Sequence, residues 1–123
     1  MHRRRILVVD DDALVRDAVA MMLYEENYAV DTAGSRAEAL GLLARESYDV
    51  IVSDLRIPDF DGPVFYHELK QRRPEALRRL IFMTGSAPEY AGFLEEIKAP
   101  VLAKPFTPED LRKAVERVLA TTC

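Results

Sequence analysis

Arg5-Ile6-Leu7-Val8-Val9-Asp10-Asp11-Asp12 is an apolar run that breaks off into three consecutive acids. Ile6 to Val9 have no polar interruption and are largely β-branched. That is the composition of a strand covered on both faces, as in a parallel sheet flanked by helices. Val50-Ile51-Val52-Ser53-Asp54 repeats the plan, with an acid again where the strand should end. Outward from these two, three further runs read as strands, giving Arg5–Asp10, Ala29–Ala33, Val50–Asp54, Leu80–Thr84 and Val101–Ala103. The second is mixed in polarity, which suits an edge.

Amphipathic stretches separate the strands. Leu14, Ala18, Val19, Met22 and Leu23 are placed on one helical face. Ser35-Arg36-Ala37-Glu38 has capping-box spacing, and Leu40 and Leu43 continue that helix inward. Gly62-Pro63 precedes Val64, Phe65 and Leu69, and Pro88 precedes Phe93, Leu94 and Ile97. Thr107-Pro108-Glu109-Asp110 offers an N-cap, a proline at the first helical position and acids in the first turn; Leu111, Ala114, Val115, Val118 and Leu119 then form an apolar stripe. Strict strand–helix alternation implies right-handed crossovers and a parallel sheet with helices on both faces.

A length of 123 residues, 49% hydrophobic and 31% charged, fits one domain that buries its own core, and we read residues 1–123 as a single unit. The net charge of −4 argues against a general nucleic-acid binder. His2-Arg3-Arg4-Arg5 is followed by only four apolar residues, too few for a secretory or membrane-spanning segment. The single cysteine, Cys123, has no internal partner, and a cytoplasmic setting is expected. The Arg run is read as the solvated start of a buried strand.

Chemistry collects where the strands end. Asp10-Asp11-Asp12, Ser53-Asp54, Thr84-Gly85-Ser86 and Lys104-Pro105 all follow strands, and open parallel sheets bind ligands at that edge. Converging carboxylates repel unless a cation sits among them, and oxygen donors suit Mg2+. The zinc-type donors are only His2, His67 and Cys123. An Asp can also act as a nucleophile toward phosphorus, with Mg2+, the Lys104 ammonium and the Thr84 hydroxyl neutralising and positioning charge. Taken singly, each feature has a plainer explanation: Asp12 is a helix cap, Asp54 a turn former, Lys104-Pro105 a turn. Their joint placement at one edge outweighs those readings.

The whole chain resembles the receiver domain of bacterial two-component response regulators. The resemblance is carried by Ile6-Leu7-Val8-Val9-Asp10-Asp11-Asp12, Ser53-Asp54-Leu55-Arg56-Ile57-Pro58-Asp59-Phe60-Asp61-Gly62, Phe82-Met83-Thr84-Gly85 and Ala103-Lys104-Pro105-Phe106. It implies a flavodoxin-like doubly wound fold with strand order 2-1-3-4-5, for which receiver proteins are themselves an example. It implies Asp54 as phosphoacceptor, Asp10 and Asp11 as the acidic pair at Mg2+, the Arg56 backbone carbonyl as a third protein ligand, Thr84 as the responding hydroxyl and Lys104 as its partner, with a cis Lys104–Pro105 bond. The implied partner is a histidine kinase or histidine phosphotransfer domain. The resemblance implies no conventional enzymatic turnover, no direct nucleic-acid contact and no membrane insertion, with a monomer or weak phosphorylation-dependent dimer.

One position departs from the family. The residue three before Lys104, often a switch aromatic, is Val101. That favours a phosphorelay or hybrid-kinase receiver over a DNA-binding regulator. Two other classes fit less well. An Asp-nucleophile phosphatase needs a second Asp where Arg56 stands, and a flavodoxin-like cofactor binder needs a phosphate loop where Asp10-Asp11-Asp12 stands. A receiver-shaped scaffold that is never phosphorylated would not need the intact acid–Thr–Lys set.

Overall fold

The computed structural model describes residues 3–57, 60–85 and 88–122; His2, Pro58, Asp59, Ser86 and Cys123, invoked above, lie outside them. Ten elements alternate: β1 (Arg5–Val9), α1 (Ala13–Glu25), β2 (Ala29–Ala33), α2 (Arg36–Arg45), β3 (Val50–Asp54), α3 (Gly62–Arg72), β4 (Leu80–Thr84), α4 (Ala91–Ile97), β5 (Val101–Ala103) and α5 (Pro108–Thr122). A two-residue antiparallel pair, Arg56–Ile57 with Phe60–Asp61, leads into α3. The five strands are all parallel in the order β2-β1-β3-β4-β5, as expected.

Apolar side chains alternate across the sheet and divide the core in two. On one face Leu7, Val9, Ile51, Leu80 and Phe82 meet Ala39 and Leu43 of α2 and Phe65 and Leu69 of α3. On the other, Ile6, Val8, Val50, Val52, Ile81 and Met83 meet Val19 and Leu23 of α1 and Leu111, Val115 and Val118 of α5. Burial on both faces is why the central strands read as unbroken apolar runs. Gly62 opens α3 because it sits against β3's continuation: a Cβ there would run into the Leu55 side chain, and the Gly62 N–H donates to the Leu55 carbonyl at 2.8 Å. Among the described residues no helix is long and apolar enough to cross a membrane.

Four local expectations change. β1 ends at Val9, although the Asp10 N–H still donates to the Ala33 carbonyl at 3.0 Å. Leu14 and Ala18 do not face the core: Leu14 is 83% exposed, and the inward residues of α1 are Val15, Val19, Met22 and Leu23. At about 100° per residue Leu14 lies roughly a quarter turn from Val15, enough to leave the sheet. Val64 of α3 is also turned out. The Arg run is not merely solvated, because Arg5 bonds Asp31 and Glu46, each at 3.1 Å.

The predicted caps form. Asp12 accepts from the N–H groups of Leu14 and Val15. Thr107 and Asp110 cap α5 reciprocally, each backbone N–H donating at 3.0 Å to the other's side chain. At α2 the Ser35 hydroxyl accepts from the Glu38 N–H, but the Glu38 carboxylate reaches back one residue further, to the Gly34 N–H at 2.7 Å.

Candidate functional site

Parallel register puts the acids side by side. Val9 of β1 pairs with Ser53 of β3, so Asp10, one residue on, lies beside Asp54. Asp54 in turn pairs with Met83, and Thr84 with Ala103, so Thr84 and Lys104 close the same edge from β4 and β5. The Lys104 N–H donates to the Thr84 carbonyl at 2.7 Å, and the Lys104–Pro105 peptide is cis.

Carboxylate oxygens of Asp10, Asp11 and Asp54 all lie within 4.8 Å of one another. Asp10 is fully buried, Asp54 half-buried and Asp11 exposed. The Lys104 ammonium bridges two of them, 3.2 Å from Asp10 Oδ2 and 3.2 Å from Asp54 Oδ2. Asp10 Oδ1 accepts from the Asp12 N–H at 2.9 Å, and Asp54 Oδ1 from the Arg56 N–H at 3.3 Å. The Ser53 hydroxyl, itself buried, donates to the Asp54 carbonyl at 2.9 Å. Thr84 is half-buried at the end of β4.

Burial pushes the Asp54 carboxyl above its ordinary value; Lys104 opposes the shift and the Asp10 charge adds to it. Burial also pulls on the Lys104 ammonium, but Asp54 and then Asp10 together outweigh it and hold its pKa above the usual lysine value. The lysine is therefore a fixed cation between the two acids across neutral pH. Three carboxylates against one ammonium leave two negative charges in excess. The donor set is all oxygen, its atoms lie within 4.8 Å of one another, and hard oxygen donors of this kind suit Mg2+. The residues fit such an ion. The arrangement sets clustered carboxylates against a fixed cation at one sheet edge, where the neighbouring strand ends in Thr84.

The structure places Asp10, Asp11, Asp54, Thr84 and Lys104 at this edge; Arg56, expected to contribute its carbonyl, meets Asp54 through its N–H. Two contributors were given no role from the sequence. Ser53 could have been noticed as a hydroxyl on an otherwise apolar strand. Arg16, whose guanidinium Nη1 donates to the Asp10 carbonyl at 3.1 Å, could have been noticed as a charge beside the apolar face of α1.

The model of the response regulator receiver domain matches residues 6–116. The chain is 32% identical over 114 residues to the transcriptional regulatory protein GlrR of Escherichia coli K12, covering 93% of this chain and 26% of that protein. It spans between about a quarter and half of the curated relatives it matches. Among solved structures, a CheY-like receiver domain from Methanospirillum hungatei JF-1 superposes with a TM-score of 0.89 at 28% identity, covering 98% and 97% of the two chains. The Thermotoga maritima response regulator TrrA, in complex with Mg2+–BeF, superposes with a TM-score of 0.83 at 30% identity, covering 94% and 99%. The fold, the acidic edge and these matches agree: the chain belongs to the response regulator receiver domain family of two-component signalling.

Proposed function

We propose that Asp54 accepts a phosphoryl group from a phosphohistidine on a histidine kinase or phosphotransfer protein, in a reaction that needs Mg2+. The observation that carries this reading is the single ammonium of Lys104 set 3.2 Å from both Asp10 and Asp54, with Asp11 completing a three-carboxylate cluster. Asp10, Asp11, Asp54 and the Arg56 backbone carbonyl would hold the ion, which when bound supplies positive charge for the phosphoryl oxygens. An Asp54 oxygen attacks phosphorus, the O–P bond forms, and the N–P bond breaks with its electrons returning to the imidazole. Lys104 remains as a point charge against the phosphoryl oxygens, and the Thr84 hydroxyl donates to one of them.

In this reading residues 1–123 form one receiver unit that acts in the cytoplasm as a switch and turns over no external substrate. Its kinase docks on α1, which leaves directly from the acidic loop. Leu14, Ala18 and Met21 fall within about 60° of one another on that helix, and Leu14 and Met21 are exposed. A relay receiver is favoured by one observation, the exposed Val101 on edge strand β5 where a switch aromatic would stand. The names of the matched relatives, transcriptional regulatory proteins, favour a regulator instead. Exchange with a phosphohistidine partner, without self-association on beryllofluoride addition, supports the relay; the opposite pair of results supports the regulator.

The central test is intact-mass analysis after incubation with acetyl phosphate. We expect one added phosphoryl group on the wild type with Mg2+, none after chelation and none on Asp54→Asn. Equal labelling of wild type and variant would overturn the assignment.

A further inference from the structure

Arg16 lies on the flank of α1, half-buried, beside the apolar residues that face the core. Its Nη1 donates to the Asp10 carbonyl at 3.1 Å, and among the described residues it makes no ion pair. The other polar atoms of Asp10 are already taken: the N–H by Ala33, Oδ1 by the Asp12 N–H and Oδ2 by Lys104. Arg16 therefore holds the one remaining group, the carbonyl of the peptide that joins Asp10 to Asp11. That peptide is planar, so fixing its carbonyl also fixes the direction from which Asp11 departs.

A second feature on a different element depends on the same guanidinium. A Cβ at Gly34, just after β2, would lie 2.7 Å from Arg16 Nη1. The backbone at Gly34 has no left-handed φ, so its conformation alone does not call for glycine. The Arg16 guanidinium would have to shift to make room for a side chain there.

We infer that Arg16 is a positioning residue for the acidic site, holding the Asp10–Asp11 peptide in the geometry that receives the cation, and that Gly34 is glycine to admit it. The inference rests on the Mg2+-dependent reading given above. Arg16 bonds the backbone carbonyl of Asp10 and not its carboxylate. Its effect passes through the placement of Asp11, the one exposed carboxylate of the cluster, which has no Lys104 contact to hold it.

The test is a calorimetric Mg2+ titration of wild type, Arg16→Met, Arg16→Lys, Gly34→Ala and the Arg16→Met/Gly34→Ala double variant, each with a thermal melt. We expect Arg16→Met, which keeps the length of the side chain, to bind Mg2+ about tenfold more weakly, with Arg16→Lys in between because an ammonium can replace the bond but not the planar fork. Gly34→Ala should reproduce the loss with Arg16 present, and the double variant should be no weaker than Arg16→Met, since both act through one contact. At saturating Mg2+, labelling by acetyl phosphate should return to within about twofold of wild type. Unchanged Mg2+ affinity in Arg16→Met with a lowered Tm would show a purely structural brace and overturn the inference. Additive losses in the double variant would overturn the role given to Gly34. A wild type that binds no Mg2+ would remove the phosphoacceptor reading and this inference together, whereas binding that is indifferent to Arg16 removes the inference alone. Should Arg16→Met fail to fold, Arg16→Lys and Gly34→Ala decide the matter by the same criteria.

Discussion

Lys104 and Asp54 respond in opposite directions to being neutralised, because one relieves charge crowding and the other is crowded. Removing the ammonium leaves fully buried Asp10 and half-buried Asp54 facing each other without a cation. We expect Lys104→Met to lose about 1–3 kcal/mol of stability at neutral pH, the range for breaking a partly exposed pair in a buried site. Added Mg2+ should restore more of the Tm in this variant than it adds to wild type; a melt insensitive to the ion would contradict the shared site. Asp54→Asn should do the reverse. The folded state holds the Asp54 proton more tightly than the unfolded chain does. Wild type therefore carries no penalty below the ordinary value of 3.8, acquires one as pH rises through it, and keeps it above the raised folded value. We expect the Asn variant, without Mg2+, to melt a few degrees higher at pH 7 and level with wild type below pH 3.8. A gain that persists in acid would mean that charge is not its origin.

Individual helices and strands carry separable tasks. On α1 the inward residues hold the sheet, and the outward Leu14 and Met21 are free to meet a partner. We expect Leu14→Asp to slow phosphoryl transfer from a phosphohistidine donor by tenfold or more and to leave labelling by acetyl phosphate unchanged, since only the protein donor needs the helix face. Equal slowing with both donors would place the effect in the acidic loop instead. Edge strand β2 is secured from below. The buried Tyr48 hydroxyl donates to Asp31 at 2.6 Å, Arg5 bonds the same carboxylate, and the Arg5 guanidinium lies 5.6 Å from the Tyr48 ring centroid. Burial, then the bond to Asp31, lifts the Tyr48 phenol well above its ordinary 10. Because the unfolded chain releases this proton first, the stabilisation is complete below pH 10 and is lost as pH rises beyond it. Ultraviolet titration should show Tyr48 ionising only as the fold is lost, and Tyr48→Phe should flatten the alkaline fall in Tm. A Tyr48 that titrates near 10 in the folded state would sink this account.

Across the whole molecule, burial is uneven. β1, β3 and β4 are almost wholly buried between two apolar layers, whereas α4 has seven residues and none of them fully buried. Native-state hydrogen exchange should find the amides of β1, β3 and β4 open only with global unfolding, and those of α4 opening locally at far lower free energy. Equal protection of α4 and β3 would show a more uniform molecule than its burial indicates. The same contrast explains how much of the protein could be read in advance. Ile6–Val9 and Val50–Val52 announced buried parallel strands because a strand with two covered faces has no polar position to spare. Strand–helix alternation and right-handed crossovers then left few topologies, and the gathering of Asp10, Asp11, Asp54, Thr84 and Lys104 at one edge was legible because each stands at or just past the end of a strand. Only the tertiary structure showed that Leu14 turns away from the core, that Glu38 reaches Gly34 and not Ser35, and that Arg16 reaches the Asp10 carbonyl across the space a Gly34 side chain would fill. Those facts depend on where one element stops against another, and on contacts between elements distant in sequence. Periodicity along a single segment specifies its faces but not what stands opposite them.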